Sequence, residues 1–390
     1  MQGREIKATA SLGLIMSFRM LGLFMIYPIF SLYAEHLVGA TPSLIGIALG
    51  GYGLTQAVLQ IPFGLLSDRF GRKSMIALGL GVFIVGSIIA ALSDTIYGII
   101  AGRILQGTGA VGSVLLALLA DLTSPANRTK AMAGMGLIIG LSFAAALIIG
   151  PLLTQYFQLS GIFWISALLA LMALILLYTL TPNPARSSVH EDAETIPQKF
   201  MGVLTNKKLL QLNYGIFALH AILTASFFAL PLLLTKQLDL GHSTQIKFYF
   251  FSLVAAFFTM VPFIILAEKK QCQKLVFCGA ILALLMSQIL LLSLKLSLVN
   301  AALIIYLFFT AFTLLEASLP SLISKIAPPH SKGTAMGIYS SSQFLGIFVG
   351  GALSGWIYSS FQANGIFIFT ISLAAIWLLW SLNAKSVTNQ

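Results

Sequence analysis

Residues 64–73 read Gly-Leu-Leu-Ser-Asp-Arg-Phe-Gly-Arg-Lys, a short charged turn between two long apolar segments. This cluster stands out because only 8% of the chain is charged. A weaker copy follows 200 residues later, where residues 261–269 repeat the proline, phenylalanine, leucine, acid and base of residues 61–69 in register. The repeat predicts a duplicated chain with a charged turn after the second helix of each half, an organisation typical of transporters.

The composition is that of a membrane protein and excludes an ordinary soluble domain. Of the 390 residues 58% are apolar, and the mean hydropathy is +0.95. Apolar segments of about 20 residues, long enough to cross a bilayer as helices, recur along the chain. We expect twelve of them, at 11–34, 43–66, 75–92, 97–119, 131–153, 161–180, 209–234, 246–267, 275–294, 299–321, 334–357 and 365–382.

The order of these segments predicts an all-α membrane protein built from two pseudo-symmetric six-helix bundles. Residues 1–180 form the N-terminal bundle and residues 209–390 the C-terminal bundle. The polar stretch 181–208 between them has the composition of a linker, and we expect it to be cytoplasmic. The dipeptide Ala-Met opens helix 5 at residue 131 and helix 11 at residue 335, which supports the duplication.

The net charge of +11 is explained by membrane topology. Of the 22 basic residues, 17 fall on the side of the termini and three on the other side, while two lie inside helices. This bias predicts a multi-pass membrane protein with both termini in the cytoplasm, and it requires no nucleic-acid partner. We interpret Cys272 and Cys278 as packing residues. We therefore expect no disulfide, no metal site and no cofactor.

Four ionisable residues lie within the expected membrane depth: Arg19, Arg103, His220 and Glu316. A charge that faces lipid costs at least about 2.5–3.5 kcal/mol, so these side chains should face inward. Glu316 is the only acid among them and is the candidate proton carrier. The alternative is that Glu316 is a fixed partner of Arg19 or of a backbone group.

Two of the other three residues, Arg19 and His220, also have two interpretations each. Arg19 could anchor an anionic substrate, or it could hold Glu316 ionised in a salt bridge between the bundles. His220 could relay protons, or it could be a neutral, hydrogen-bonded packing residue. Further polar side chains could line the same cavity or join helices, namely Gln56, Asn213, Tyr249, Tyr339 and Gln343.

Three motifs give the chain a family resemblance. They are the turn 64–73, the helix 4 segment Arg103-Ile-Leu-Gln106-Gly-Thr-Gly109, and Gly140 with Gly150-Pro151 on helix 5, where Ala144, Ala145 and Ala146 replace expected glycines. With these motifs the whole chain resembles the major facilitator superfamily and its drug:proton antiporter branch. The stretches 19–22, 267–269, 315–325, 332–337 and 343–346 resemble YajR-type bacterial inner-membrane transporters. Some of those relatives carry a C-terminal soluble domain, which we do not expect here.

The resemblance implies that helices 1, 4, 7 and 10 line a central cavity and that Arg103, with Gln106 beside it, takes part in proton transfer. It also implies a gate formed by Gly64, Asp68, Arg69, Gly71, Arg72 and Asp121. In the family pattern Asp68 faces the N-terminus of helix 11 near Lys332 while the cytoplasmic side is closed, and the helix dipole favours such a carboxylate. The alternative is that these charges only fix the topology.

These patterns together predict a secondary transporter that works by alternating access. We expect a monomer that exports a small amphipathic compound in exchange for protons. An uptake symporter or a uniporter stays open because the helix 5 motif is incomplete, and so does a membrane sensor or scaffold derived from a transporter. A membrane-embedded enzyme is disfavoured, since one intramembrane acid and one histidine do not form a catalytic constellation.

Overall fold

The structure, a computed structural model, describes residues 3–183, 197–328 and 331–383. Its α-helices are Gly3–Phe24, Phe30–Ala34, Pro42–Phe70, Arg72–Ala91, Ile96–Thr108, Gly112–Asp121, Pro125–Thr179, Phe200–Leu204, Lys207–Leu238, His242–Lys269, Gln273–Ser293, Leu298–Ile326 and Lys332–Asn383. Part of the expected linker, residues 184–196, lies outside the described ranges. The rest of the linker includes the short helix Phe200–Leu204, which buries Val203.

Ten described helices, with Ile96–Asp121 counted as one, are long and apolar enough to cross a membrane. Two of them, Pro125–Thr179 and Lys332–Asn383, have 55 and 52 residues, more than twice the roughly 20 that a bilayer requires. Each bends at a glutamine with positive φ, Gln158 at 56° and Gln362 at 54°. Each long helix therefore supplies two membrane segments, which gives the twelve helices that the sequence predicts.

The two bends repeat one sequence, Phe-Gln-X-X-Gly-Ile-Phe, at residues 157–163 and 361–367. A Cβ atom on the glycine of either copy would collide with the first phenylalanine of the same copy. The repeat has the same 204-residue offset as the two Ala-Met dipeptides. The duplication is therefore visible in the backbone, at the point where helix 5 turns into helix 6 and helix 11 into helix 12.

Helices 1 and 4 are interrupted within the membrane region. Helix 1 consists of Gly3–Phe24 and the short piece Phe30–Ala34. Helix 4 consists of helix 4a, Ile96–Thr108, and helix 4b, Gly112–Asp121, with residues 109–111 not helical. Non-helical backbone at this depth is tolerated where it is buried in protein or lines a cavity. Such breaks are therefore candidates for functional positions.

The two bundles meet closely along helices 2 and 11, through small residues. A Cβ atom on Gly46 would collide with the carbonyl oxygen of Gly351, and one on Gly50 would lie 2.7 Å from the carbonyl oxygen of Phe348. Small residues at such positions let two helix backbones approach, which is a main source of helix association in membranes. These glycines therefore set the distance between the bundles.

The close contacts between the bundles lie toward one side of the membrane. We call the face that carries the turn 64–73 the basic face, and the other the opposite face. Gly46 lies in the first turns of helix 2, near the opposite face. At the same face Glu35 Oε1, after helix 1, lies 3.8 Å from Lys236 Nζ at the end of helix 7. These contacts hold the bundles together toward the opposite face.

Candidate functional site

Arg19 is buried inside the N-terminal bundle, with 1% of its surface exposed. Its Nη2 donates to the Tyr52 hydroxyl at 2.7 Å, to Gln56 Oε1 at 2.7 Å and to the Gly109 carbonyl at 3.3 Å. Its Nε and Nη1 have no hydrogen-bond partner in the described ranges. The guanidinium is thus held on one side by neutral acceptors from helices 2 and 4, and two donor nitrogens are left over.

A row of polar side chains on helix 2 supports this arginine. The Tyr52 hydroxyl donates to Gln56 Oε1 at 3.1 Å, and Gln56 Nε2 donates to Gln60 Oε1 at 3.1 Å. Residues four apart share one helix face, so the row is continuous. Sequence reasoning singled out Gln56 and missed Tyr52 and Gln60, although their spacing of four in an apolar helix was a usable signal.

Arg103, on helix 4a, is fully buried and also has neutral partners. Its donors reach Ala48 O at 3.3 Å, Leu49 O at 3.3 Å and Gln106 Oε1 at 3.0 Å. Gln106 Nε2 in turn donates to Ser87 Oγ at 2.8 Å, which ties helix 4 to helix 3. The guanidinium lies 5.3 Å from the centre of the Tyr52 ring. Tyr52 therefore contacts both buried arginines.

In the C-terminal bundle, Glu316 on helix 10 lies close to His220 on helix 7. Glu316 Oε2 is 3.9 Å from His220 Nε2 and has no hydrogen-bond partner in the described part of the chain. The Glu316 side chain is 31% exposed, whereas His220 is buried. The Glu316 side chain is therefore partly exposed although Oε2 itself is buried, and no donor in the described part of the chain holds Oε2.

His220 has two polar neighbours that suit a neutral ring. Nδ1 lies 3.3 Å from the Ile216 carbonyl oxygen, and Nε2 lies 2.8 Å from Gln343 Nε2 on helix 11. A carbonyl accepts and an amide N–H donates, so the partners assign a proton to Nδ1 and a lone pair to Nε2. This arrangement fits the interpretation of His220 as a hydrogen-bonded neutral residue in this conformation.

Arg19 and Glu316 do not form the salt bridge between the bundles that was one of the two interpretations of each residue. The Arg19 partners all belong to the N-terminal bundle, and the basic group within 4 Å of Glu316 is His220. In the described ranges neither Arg19 nor Arg103 has a carboxylate at ion-pair distance. The membrane interior therefore carries two arginines without acidic partners in one bundle and a weakly contacted acid in the other.

The remaining polar candidates differ in how they are satisfied. Gln56 and Gln343 have the partners given above. Both amide atoms of Asn213 and the hydroxyl groups of Tyr249 and Tyr339 are buried without a partner among the described residues. Buried polar groups are normally hydrogen-bonded. Asn213, Tyr249 and Tyr339 are therefore positions where a ligand or water can supply the missing hydrogen bond.

The charged turn forms a compact ion-pair cluster around Arg72. The Arg72 guanidinium is buried and contacts Asp68 Oδ1 at 2.6 Å, Asp121 Oδ2 at 3.2 Å and Ser67 Oγ at 2.6 Å. Arg69 is exposed and lies outside the cluster. Sequence reasoning grouped Asp68, Arg72 and Asp121 but missed Ser67. Among the described residues Asp68 pairs with Arg72 and makes no contact with helix 11, so the contact that the resemblance implies is not formed in this conformation.

The glycines of the turn and of helix 5 serve different purposes. Gly71 has φ 88°, a conformation that favours glycine, and it separates helix 2 from helix 3. A Cβ atom on Gly64 would lie 3.4 Å from Ser113 Oγ on helix 4. On helix 5 a Cβ atom on Gly150, next to Pro151, would collide with the Met25 backbone. Gly140 has open space around its Cα.

The arrangement can bind and move charge. Within the described residues there is no group of three or more His, Cys, Asp or Glu side chains that could hold a metal ion. The N-terminal bundle offers guanidinium donors beside a helix break, and the C-terminal bundle offers an accessible carboxyl group. This combination suits a pathway for a polar solute and a proton.

Comparison with known proteins identifies the fold. The model of the Major Facilitator Superfamily matches residues 12–351 and 251–389. The chain belongs to this superfamily. It is 47% identical over 376 residues, 96% of this chain and 82% of the relative, to the inner membrane transport protein YajR of Escherichia coli K12. It is 37% identical to an uncharacterized transporter of Buchnera aphidicola (strain APS), with 89% of each chain covered.

A solved structure confirms the fold from coordinates. The D-xylose–proton symporter superimposes with a TM-score of 0.76 at 15% identity, covering 99% of this chain and 98% of the symporter. The protein is thus a twelve-helix, multi-pass transporter of the major facilitator fold, similar to inner-membrane transporters. Its substrate and its transport direction are matters for the proposal below.

Proposed function

We propose that the protein is a proton-coupled secondary transporter that exports a small amphipathic compound by alternating access. It works as a monomer in a bacterial inner membrane, with the basic face and both termini in the cytoplasm. The observation that carries this proposal is Glu316, a partly exposed acid inside the membrane whose buried Oε2 has no hydrogen-bond partner among the described residues.

Glu316 suits a proton carrier for three physical reasons. It lies well inside helix 10, Leu298–Ile326, away from both membrane faces. Its partial exposure gives water access, and the absence of a fixed donor lets the carboxyl group exist with or without its proton. His220 lies beside it and contacts Gln343 in turn, so a change of charge at Glu316 can act on helix 7 and, through His220, on helix 11. Intramembrane ionisable residues of this kind mark proton pathways.

The Arg72 cluster and the contacts at the opposite face fit two alternating gates. In this structure the exposed pair Glu35 and Lys236 joins the two bundles at the opposite face, which becomes the outer face under the proposed orientation. In the other state Asp68 would contact the N-terminus of helix 11, where a helix dipole contributes about 0.3–1 kcal/mol. A few kcal/mol from protonation or substrate is enough to exchange the populations of two such states.

Uptake of a solute with protons is the second candidate. The alanines at 144–146 of helix 5 stand where the antiporter motif has glycines, and Gly140 makes no close helix contact. The D-xylose–proton symporter shares the fold, so the fold admits both directions. The sign of proton movement under a solute gradient separates the two.

The test measures proton movement in proteoliposomes with a trapped pH-sensitive dye, driven by gradients of ethidium or of benzenesulfonate. We expect wild-type protein to move protons against the probe and Glu316→Gln to move none, because an amide cannot exchange a proton. Asp239→Asn is the matched acid-to-amide control. Asp239 ends helix 7 with φ 49°, a conformation that asparagine also accepts.

Equal coupled movement by wild type and Glu316→Gln would exclude Glu316 as the carrier. Proton movement in the same direction as the probe would replace export by uptake. A substrate-driven conformational change without net transport of either probe or proton would favour a sensor derived from a transporter.

A further inference from the structure

The Arg19 guanidinium has a binding capacity that the protein does not use. Its three acceptors all engage Nη2, while Nε and Nη1 are buried without partners. An unsatisfied buried donor costs free energy, and a charged one costs more than a neutral one. Arg19 also has no carboxylate at ion-pair distance among the described residues. A negatively charged group at Nη1 would remove both deficits.

Nη1 is directed at the beginning of helix 4b. A Cβ atom added to Gly112 would lie 3.6 Å from Arg19 Nη1. Helix 4b has ten residues, and its N-cap residue, Val111, provides no side-chain hydrogen bond to the first turn. The first N–H groups of a helix lack intrahelical partners and carry the positive end of the helix dipole. Half-helices broken inside a membrane bind anionic substrate groups in this way.

The beginning of helix 4b is also accessible. Gly112 and Ser113 are partly exposed, whereas Arg19 behind them is buried. Nη1 itself is buried, but because Gly112 has no side chain, no side-chain atom of residue 112 blocks the approach of an anion from that side. The site is therefore formed by two independent features, an incompletely bonded guanidinium and an uncapped helix start.

The other half of the duplication has a carboxylate at the corresponding place. Helices 4 and 10 begin after equivalent capping residues, Thr95 and Ser297, which are 202 residues apart. An offset of 202 to 204 residues places Glu316 opposite positions 112–114, the first turn of helix 4b. The C-terminal half thus supplies its own acid at a position that corresponds to the turn 112–114 beside Arg19, where the N-terminal half has Gly112, Ser113 and Val114.

We propose that Arg19 and the first turn of helix 4b form an oxyanion-binding subsite for an acidic group, a carboxylate or a sulfonate, of the transported compound. This inference rests on the proposed transport function and specifies its substrate class as an amphipathic anion. The competing explanation is that Arg19 only ties the helix 4 break together through the Gly109 carbonyl.

The test is equilibrium binding of benzenesulfonate to the purified full-length protein in nanodiscs, by isothermal titration calorimetry. Its neutral analogue, benzenesulfonamide, is the control ligand. We expect Arg19→Gln to weaken benzenesulfonate binding roughly tenfold or more, because a charge-assisted contact is lost. Gly112→Ala adds one methyl group at ordinary contact distance from Nη1, so the protein folds but the anion is displaced, and binding weakens several-fold. Lys295→Gln, an exposed change near the opposite face, leaves binding unchanged.

Three results would overturn the subsite. The first is equal affinity of the wild type for benzenesulfonate and benzenesulfonamide. The second is equal affinity of wild type and Gly112→Ala for benzenesulfonate. The third is binding of chloride at Arg19 without binding of benzenesulfonate, which would make the place an inorganic-anion site. Binding does not require proton movement. Arg19-dependent binding of benzenesulfonate without coupled proton flux would therefore refute the proposed function and leave the subsite standing. Coupled proton flux with ethidium alone would support the proposed function and refute the subsite.

Discussion

The two bundles share a backbone plan but carry different kinds of charge. The N-terminal bundle buries Arg19, Arg72 and Arg103, each 2% exposed or less and each with several polar contacts. The C-terminal bundle has Glu316, which is accessible and weakly contacted, next to a buried His220. The first set is permanently charged, because arginine keeps its proton in proteins. The second set can gain or lose a proton.

This difference shows which features the duplication had to keep in both halves. The bends at Gln158 and Gln362 repeat with the same sequence, because each half must turn the chain between its last two helices. The charged side chains need not be the same in both halves. Under the proposed function, a pathway between the halves is complete when one half binds the solute and the other half gains and loses the proton. The halves have therefore diverged where the chemistry lies and have been kept alike where the chain turns.

The largest expected effect comes from the Arg72 cluster. Arg72→Gln removes the guanidinium that contacts Asp68, Asp121 and Ser67. We expect a loss of about 3 kcal/mol in the free energy of unfolding, because removing one member of a buried ion pair leaves a poorly compensated charge. Unfolding of the purified protein by increasing SDS, followed by tryptophan fluorescence, measures it.

The matched controls for Arg72 are exposed basic residues of equivalent turns. Arg69→Gln in the same turn and Lys270→Gln in the C-terminal copy should each change the free energy of unfolding by less than about 0.5 kcal/mol. If Arg69→Gln destabilised the protein as much as Arg72→Gln, the total charge of the turn would determine its contribution to stability. The buried contacts of Arg72 would then not explain the effect.

A smaller effect is expected at Arg103, the fixed charge of helix 4a. Arg103→Gln removes charge-assisted hydrogen bonds to Gln106 and to two carbonyl groups of helix 2. We expect a loss of about 2 kcal/mol in the free energy of unfolding. Glu316→Gln in the other bundle should cost less than about 1 kcal/mol, because Glu316 Oε2 has no hydrogen bond to lose.

The same unfolding assay tests this contrast between the bundles. A stability loss at Glu316→Gln equal to that at Arg103→Gln would show that the acid is held by the fold like the arginines. The comparison would then fail, and with it the interpretation of the C-terminal bundle as the one that exchanges a proton.

The fold can be predicted well because its two main signals, the hydropathy pattern and the charged turn, depend only on composition and spacing, which can be read from the sequence. The twelve segments and the grouping of Asp68 with Arg72 and Asp121 come from such signals. The helix 4 break was missed although Gly107 and Gly109 stand next to it, since isolated glycines are common in membrane helices. The sequence left two roles open for Arg19, a salt bridge with Glu316 and the anchoring of an anionic substrate, and it did not indicate the neutral partners Tyr52 and Gly109. Which side chain an arginine reaches depends on rotamers that a sequence does not specify.

The smallest expected effect sharpens the similarity of the halves. Gln158 and Gln362 have φ near 55° and ψ of −167° and −156°, a region that is almost restricted to glycine. Gln158→Gly and Gln362→Gly should each raise the free energy of unfolding by about 1 kcal/mol, because the strain is relieved. The gain should be similar in both halves and add in the double variant, since the bends lie in different bundles. Gln211→Gly, inside helix 7, is the control and should lower stability by about 1 kcal/mol. A gain at only one bend would mean that the repeated sequence no longer adopts one conformation in both halves.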